Sequence, residues 1–393
     1  METEYRFSKR VSHFIPPRQW DSMRMAREVE GALGPRVIHF EKGDYAASDF
    51  GIPDHVHEAL TRGLREGHGR YDPGPGILEL REAIAEEMCK RGRVTSPEEV
   101  VVTTGAKQAL FMVILAFLDD GDGVMFPNPG YPPDEVWATF TRAAINHAPL
   151  TTASWQFDTE KLARDLAADT KLLIINSPQR PNGELVENLE GIADICLRQK
   201  QLIVVSDEIF SHLIYDGHRH RTISALPGMA ERSVVIDSFS KTYAMTGWRI
   251  GWAVAPKPVA EKLSIFLQDS ITNVPVFIQK AAHAALVGPQ DWVETRTRNL
   301  QHKRDLIVAG LNAVAGVECQ SPPSTFYAFP KIKGLGLSSQ EVANKLLHEA
   351  AVAVVPGTAF GDRGEGYIRI TYAVPDEDIK EGLHRIENVL GSR

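Results

Sequence analysis

The chain has 393 residues, of which 43% are hydrophobic and 24% charged, and its formal net charge is −8. These are globular values and exclude a disordered or fibrous chain. The acidic balance argues against a nucleic-acid binder, and there is no run of about 18 apolar residues to span a membrane.

The start, Met1 to Arg10, is charged and lacks the apolar core of a signal peptide. The cysteines Cys89, Cys196 and Cys319 are far apart, so neither a disulfide framework nor a Cys-x-x-Cys metal site is read. A reducing cytoplasm is the expected compartment. The N-terminal stretch, rich in proline and charge, has no core of its own and must pack on another part of the chain.

Further on, short apolar runs alternate with longer mixed segments. Val100–Val102 predicts a strand and Lys107–Leu118 a helix after it. Leu172–Ile175, Leu202–Val205 and Val234–Ile236 predict three more strands, starting 30 and 32 residues apart. That interval holds a strand, a crossover helix and a return. Glu190–Lys200 reads as an amphipathic helix with Ile192, Ile195 and Cys196 on one side. Such runs are buried on both faces of a mostly parallel sheet, which makes the fold class α/β. Ala260–Leu311 is expected to contain a helix joining two domains. Ser339–Ala351 predicts a helix, Ala353–Val355 and Tyr367–Tyr372 strands, and Asp376–Leu390 a closing helix, together a smaller α+β domain.

Polar residues gather where four of these strands end, at Thr103–Lys107, Asn176–Gly183, Ser206–Glu208 and Asp237–Lys241. In open α/β sheets that edge binds ligands. Lys241, just beyond a buried strand, is placed for desolvation, which lowers an amine's pKa and makes it a nucleophile toward carbonyls. Ser238 and Arg249 flank it, and both side chains can hold a phosphate. The pairs His55/His57 and His218/His220 have no Cys or carboxylate partners at metal-ligand spacing, so no metal is expected. Asp72–Gly76 is glycine-rich but lacks the third glycine and preceding strand of a dinucleotide fingerprint.

Residues 238–251, with Gly247-Trp-Arg249-Ile-Gly251, resemble the lysine segment of the class I/II aminotransferases, which have the pyridoxal-phosphate (PLP) fold type I. The resemblance runs from about Val37 to Leu390. It includes Tyr71-x-Pro-x-x-Gly76, Thr104-Gly-Ala-Lys-Gln-Ala-Leu110, Pro127-Asn-Pro-Gly-Tyr131, Ser206-Asp-Glu-Ile-Phe210 and Tyr367-Ile-Arg369. It implies a large domain with a mostly parallel seven-stranded sheet flanked by helices, and a smaller α+β domain. The division would be an N-terminal segment 1–42 belonging to the small domain, a large PLP-binding domain 43–285 and the C-terminal small domain 286–393. It also implies a homodimer with a shared active site and a small amino-acid-like substrate.

By the same resemblance, Lys241 forms the Schiff base and shuttles the proton, and Asp207 keeps the pyridine nitrogen protonated. A protonated ring accepts the electrons released at the α-carbon. Gly105 and the amides of Ala106 and Lys107 at a helix start would hold the phosphate, with Ser238 and Arg249. Tyr71 would reach it from the neighbouring subunit. Tyr131 would stack on the ring, Arg369 would hold the substrate carboxylate, and Gly43 would approach the substrate.

The chain departs from the family pattern twice. Arg180 stands where the family has the asparagine that touches the cofactor's O3′, and Phe210 where it has a tyrosine that does the same. Arg180 either supplies the missing donor to O3′ as a cation or recognises an acidic group of the substrate. The reading is an aminotransferase. The alternative is a PLP enzyme of elimination, replacement, carbon–carbon bond formation or oxidation. A regulator built on this fold would carry an extra DNA-binding domain, for which too little chain precedes Val37.

Overall fold

The computed structural model describes residues 5–8, 18–33, 36–46, 48–72, 74–151 and 154–391. Its strands are β1 (Ile38–His39), β2 (Val100–Thr103), β3 (Gly123–Pro127), β4 (Ala144–Ala148), β5 (Thr170–Asn176) and β6 (Ile203–Asp207). They continue with β7 (Ser233–Ser238), β8 (Gly251–Val254), β9 (Tyr327–Ala328), β10 (Val352–Ala353), β11 (Val355–Pro356) and β12 (Ile368–Thr371).

A seven-stranded sheet in the order β2-β8-β7-β6-β5-β3-β4 forms the centre. Pairing is parallel from β4 through β3, β5 and β6 to β7, and antiparallel where β8 inserts between β7 and β2. The resemblance anticipated this mostly parallel sheet. Residues 172–175 are essentially without exposure. Each buried leucine or isoleucine side chain contributes about 1.5–3 kcal/mol, which is why the run is apolar on both faces.

The crossover from β5 to β6 carries the helix Leu189–Arg198, as its periodicity predicts. The crossover from β6 to β7 does not: only the short 3-10 turns Ile223–Ala225 and Ala230–Arg232 occupy it. Gly217, Pro227 and Gly228 punctuate that stretch and suppress a longer helix.

Smaller sheets lie beside the central one. β1 pairs with β10 in parallel, and β12 lies antiparallel between β11 and β9. The strand expected at Ala353–Val355 is in fact two, because the chain changes partner at Val354. An unbroken apolar run carries no mark of that change. The expected joining helix is also several: Lys257–Ile271, Val276–Val287 and Asp291–Asn312. Pro275 and the Gly288-Pro289 step break the segment. The helix Arg18–Leu33 packs Ala26 and Val29 on Val37, Leu347, Ala351 and Ala353, which is how the N-terminal segment acquires a core. Among the described residues no helix is long and apolar enough to cross a membrane.

Candidate active site

The carboxyl ends of β5, β6 and β7 open into a cavity of about 540 Å³, whose lining includes Lys241, Asp207, Arg180, Tyr131 and Arg369. Lys241 sits on the short helix Phe239–Thr242 directly after β7, with Ser238 as its N-cap. The ammonium Nζ donates to the Gly43 carbonyl at 2.6 Å and lies 5.3 Å from the Phe326 ring centroid. Burial pushes its pKa down to about 8; Asp44 opposes this, while Arg180, Arg369 and Arg249 add to it. An ordinary lysine titrates near 10.5, so at neutral pH Lys241 has roughly 300-fold more free amine. In the cofactor-free protein, reductive methylation of Lys241, followed by peptide mass, is expected to rise with a midpoint near pH 8. A midpoint near 10 would reject the desolvated amine.

The helix Ala106–Phe117 starts at the cavity, and its first residues, Ala106 and Lys107, line it. Its N-cap, Gly105, has φ +79°, and a Cβ there would lie 2.7 Å from Arg249 Nη2. Only glycine allows that approach. Arg249 donates to Thr246 O at 2.6 Å and to Thr104 O at 3.3 Å, which holds it over the helix start. Burial and the neighbouring Arg249 and Arg180 cations lower the pKa of Lys107. Free amides, a helix N-terminus and two cations make an anion cradle.

Asp207 ends β6 and is 1% exposed. Burial raises its pKa, opposed by the Arg180 guanidinium and the Ile209 amide. Arg180 forms an ion pair with Asp207 Oδ2. Its guanidinium also lies 4.1 Å above the Tyr131 ring centroid, and its backbone N–H donates to Asn176 Oδ1 at 2.7 Å. Glu208 faces away from the cavity, where it bonds Ser206, Thr222 and His220 and pairs with Arg91 at 3.5 Å. Arg91 also pairs with Asp237 at 2.8 Å. This buried network braces the two strands that carry Asp207 and Lys241.

Arg369, on β12, is 4% exposed and donates to the Glu41 carbonyl. Its guanidinium lies between Tyr327, at 4.6 Å, and Phe360, at 5.3 Å. Its Nε has no partner among the described residues.

Most of the residues singled out by sequence therefore converge. Phe210 does not line the cavity; its ring packs behind, against Phe326 and Tyr327. Tyr71 is 83% exposed and stands apart from the cavity. Sequence reading passed over Glu41, Tyr327 and the helix residues Trp20 and Met23, all of which line it. None of the four lay in a motif on which the resemblance rests.

This arrangement belongs with the outcome of three comparisons. The sequence matches the family Aminotransferase class I and II over residues 35–386. It is 40% identical over 355 residues to an aspartate aminotransferase of Pyrococcus abyssi, covering 87% of this chain and 89% of that one. The chain belongs to the class I and II aminotransferases. It is also 37% identical to aromatic-amino-acid aminotransferase 2 of Thermococcus litoralis, with 87% and 89% covered. The crystal structure of the aspartate aminotransferase from Rhizobium meliloti superposes with a TM-score of 0.94 at 30% identity, covering 98% of this chain and 99% of that one. The fold is thus PLP fold type I, and the enzyme is a transferase that uses pyridoxal phosphate. These relatives carry the reading toward transamination, and nothing in the cavity selects elimination, bond formation or oxidation.

The residues present suit the cofactor. The anion cradle suits its phosphate, buried Asp207 its ring nitrogen, Tyr131 a ring face, and the desolvated amine of Lys241 its aldehyde. One feature competes: Arg180 already occupies Asp207 and covers Tyr131.

Proposed function

We propose that this aminotransferase transfers the amino group of an amino acid to a keto acid, with Lys241 as the proton carrier. The observation that carries this reading is the amine of Lys241, held near a pKa of about 8, sharing one cavity with buried Asp207 and Arg369. Bound pyridoxal phosphate would supply an electron sink for the substrate α-carbon. Gly105, Ala106, Lys107, Ser238 and Arg249 would hold the phosphate, and Tyr131 would pack on the ring. Asp207 would hold a proton on the ring nitrogen. Arg369 would orient the substrate through its carboxylate, so that the α-carbon proton lies within reach of Lys241 Nζ. Gly43 would steady that amine through its carbonyl.

The working assembly would be a homodimer in the cytoplasm, with exposed Tyr71 offered to the partner's site. The large domain would span 43–285, and 1–42 and 286–393 would form the small one. The test is the visible absorbance of the holoenzyme as amino acids are added without a keto acid. Conversion to a pyridoxamine band, reversed by a keto acid, is expected. Turnover without any keto acid would reject transamination.

Arg180 is read here as a competitor of the ring nitrogen for Asp207. Arg180→Asn removes the competitor and leaves Asp207 buried and unpaired until the cofactor arrives. The cofactor-free variant should melt earlier than wild type. Its Kd for pyridoxal phosphate should fall by about tenfold, the worth of one charge-assisted hydrogen bond. Fluorescence titration measures this. A Kd raised tenfold would instead make Arg180 a cofactor ligand, in the role of the missing O3′ donor.

A further inference from the structure

The cavity holds a carboxylate that the proposed reaction does not use. Glu41 follows β1, is 2% exposed, and lines the cavity next to Arg369, which donates to its backbone carbonyl. One carboxylate oxygen, Oε1, is hydrogen-bonded to His39 Nδ1 at 2.9 Å. The other, Oε2, has no partner among the described residues. His39 is held in turn by Glu30 of the N-terminal helix, through Nε2 at 3.2 Å. The hydrogen bond to Glu41 raises the pKa of His39, with burial opposing it. A buried carboxylate oxygen left without a donor is unfavourable unless something else supplies one.

The other charges of the cavity are already engaged, Lys241 by the Gly43 carbonyl. Arg180 and Asp207 pair with each other, and Lys107 and Arg249 stand at the anion cradle. Arg369 and Glu41 stand together at the end near the N-terminal helix, and His39 engages only one of the two Glu41 oxygens. A substrate whose carboxylate meets Arg369 therefore extends its side chain beside Glu41. A second carboxylate there would face a buried like charge, which is repelled. A cationic group would complete the pairing of Oε2. The apolar parts of Trp20 and Met23, which line the same cavity, suit the methylene stem of such a side chain.

We propose that Glu41 is a specificity-determining residue that selects an amino acid with a basic side chain, an amine or a guanidine, over a dicarboxylic one. This rests on the aminotransferase reading for Arg369. It departs from the substrate named for the aspartate aminotransferase relatives.

The test is calorimetric binding to the holoenzyme of three carboxylates that have no α-amine and cannot transaminate: 5-guanidinopentanoate, pentanoate and glutarate. The guanidino acid is expected to bind at least tenfold tighter than the other two. Glu41→Gln should reduce that preference by about tenfold and leave pentanoate unaffected. Glutarate binding tightest would overturn the proposal and favour Arg180 as the receptor of an acidic side chain. An undiminished preference for the guanidino acid in Glu41→Gln would also overturn it, assigning Glu41 to packing. If that variant fails to fold, the wild-type ranking alone decides. The amino-acid absorbance titration is run beside it: no conversion by any amino acid rejects transamination, whereas the ligand ranking judges Glu41 separately.

Discussion

Lys241→Ala is expected to lower transamination by on the order of 10⁴-fold, the upper range for loss of a positioned acid–base group. The cavity has one other lysine, Lys107, and it stands at the helix start, away from the Gly43 carbonyl that Lys241 reaches at 2.6 Å. Among the described residues no second amine is placed to replace it. The fold should survive, because the lysine is a half-buried cation whose removal relieves desolvation. The pH dependence has a definite sign. The amine binds its proton less tightly in the folded protein, at about 8, than in the unfolded chain, near 10.5. The wild type therefore gains stability as pH rises from about 8 to 10.5. The variant should be more stable than wild type below pH 8 and lose that advantage above 10.5. Turnover and thermal melts across pH measure both parts. Turnover above a tenth of wild type would remove Lys241 from the chemistry.

The second large effect is expected at Asp207. Asp207→Asn keeps the volume and removes the charge. It should slow turnover by on the order of 10³-fold, since a fixed charge in a buried site is lost where charge develops. It also strands the Arg180 guanidinium, whose ion-pair partner is Asp207. Removing one member of a buried pair destabilises by about 3 kcal/mol. Combining it with Arg180→Gln should recover most of that stability and none of the rate. Recovery of rate in the double variant would mean that Asp207 serves only to neutralise Arg180.

The part of the site at strand ends was legible in the sequence, because apolar runs stop abruptly at polar groups such as Ser206-Asp207 and Asp237-Ser238. The pairing of Arg180 with Asp207 was not, although both residues stood out. It follows from register: β5 and β6 align Asn176 with Asp207, and Arg180 folds back onto the Asn176 side chain. Register depends on the whole sheet, and no local spacing encodes it. Tyr327 was missed because β9 is two residues long and has no period to read. Glu41 was missed because an acidic residue beside a short strand is usually solvated. Its burial depends on tertiary neighbours such as Arg369, which comes from 328 residues along the chain.

The antiparallel insertion of β8 beside β7 means that one short connection carries both Lys241 and Arg249. A crossover through a long helix would have put those side chains on separately moving parts. Here the two moorings are fastened to the same plank. In the proposed reaction the amine of Lys241 would have to be free to move a proton. Arg249 would meanwhile hold the cofactor at the anion cradle, and the shared backbone would keep the amine within arm's length. A loosened hinge in this connection would therefore show itself as leakage of cofactor during turnover and not as weak binding at rest.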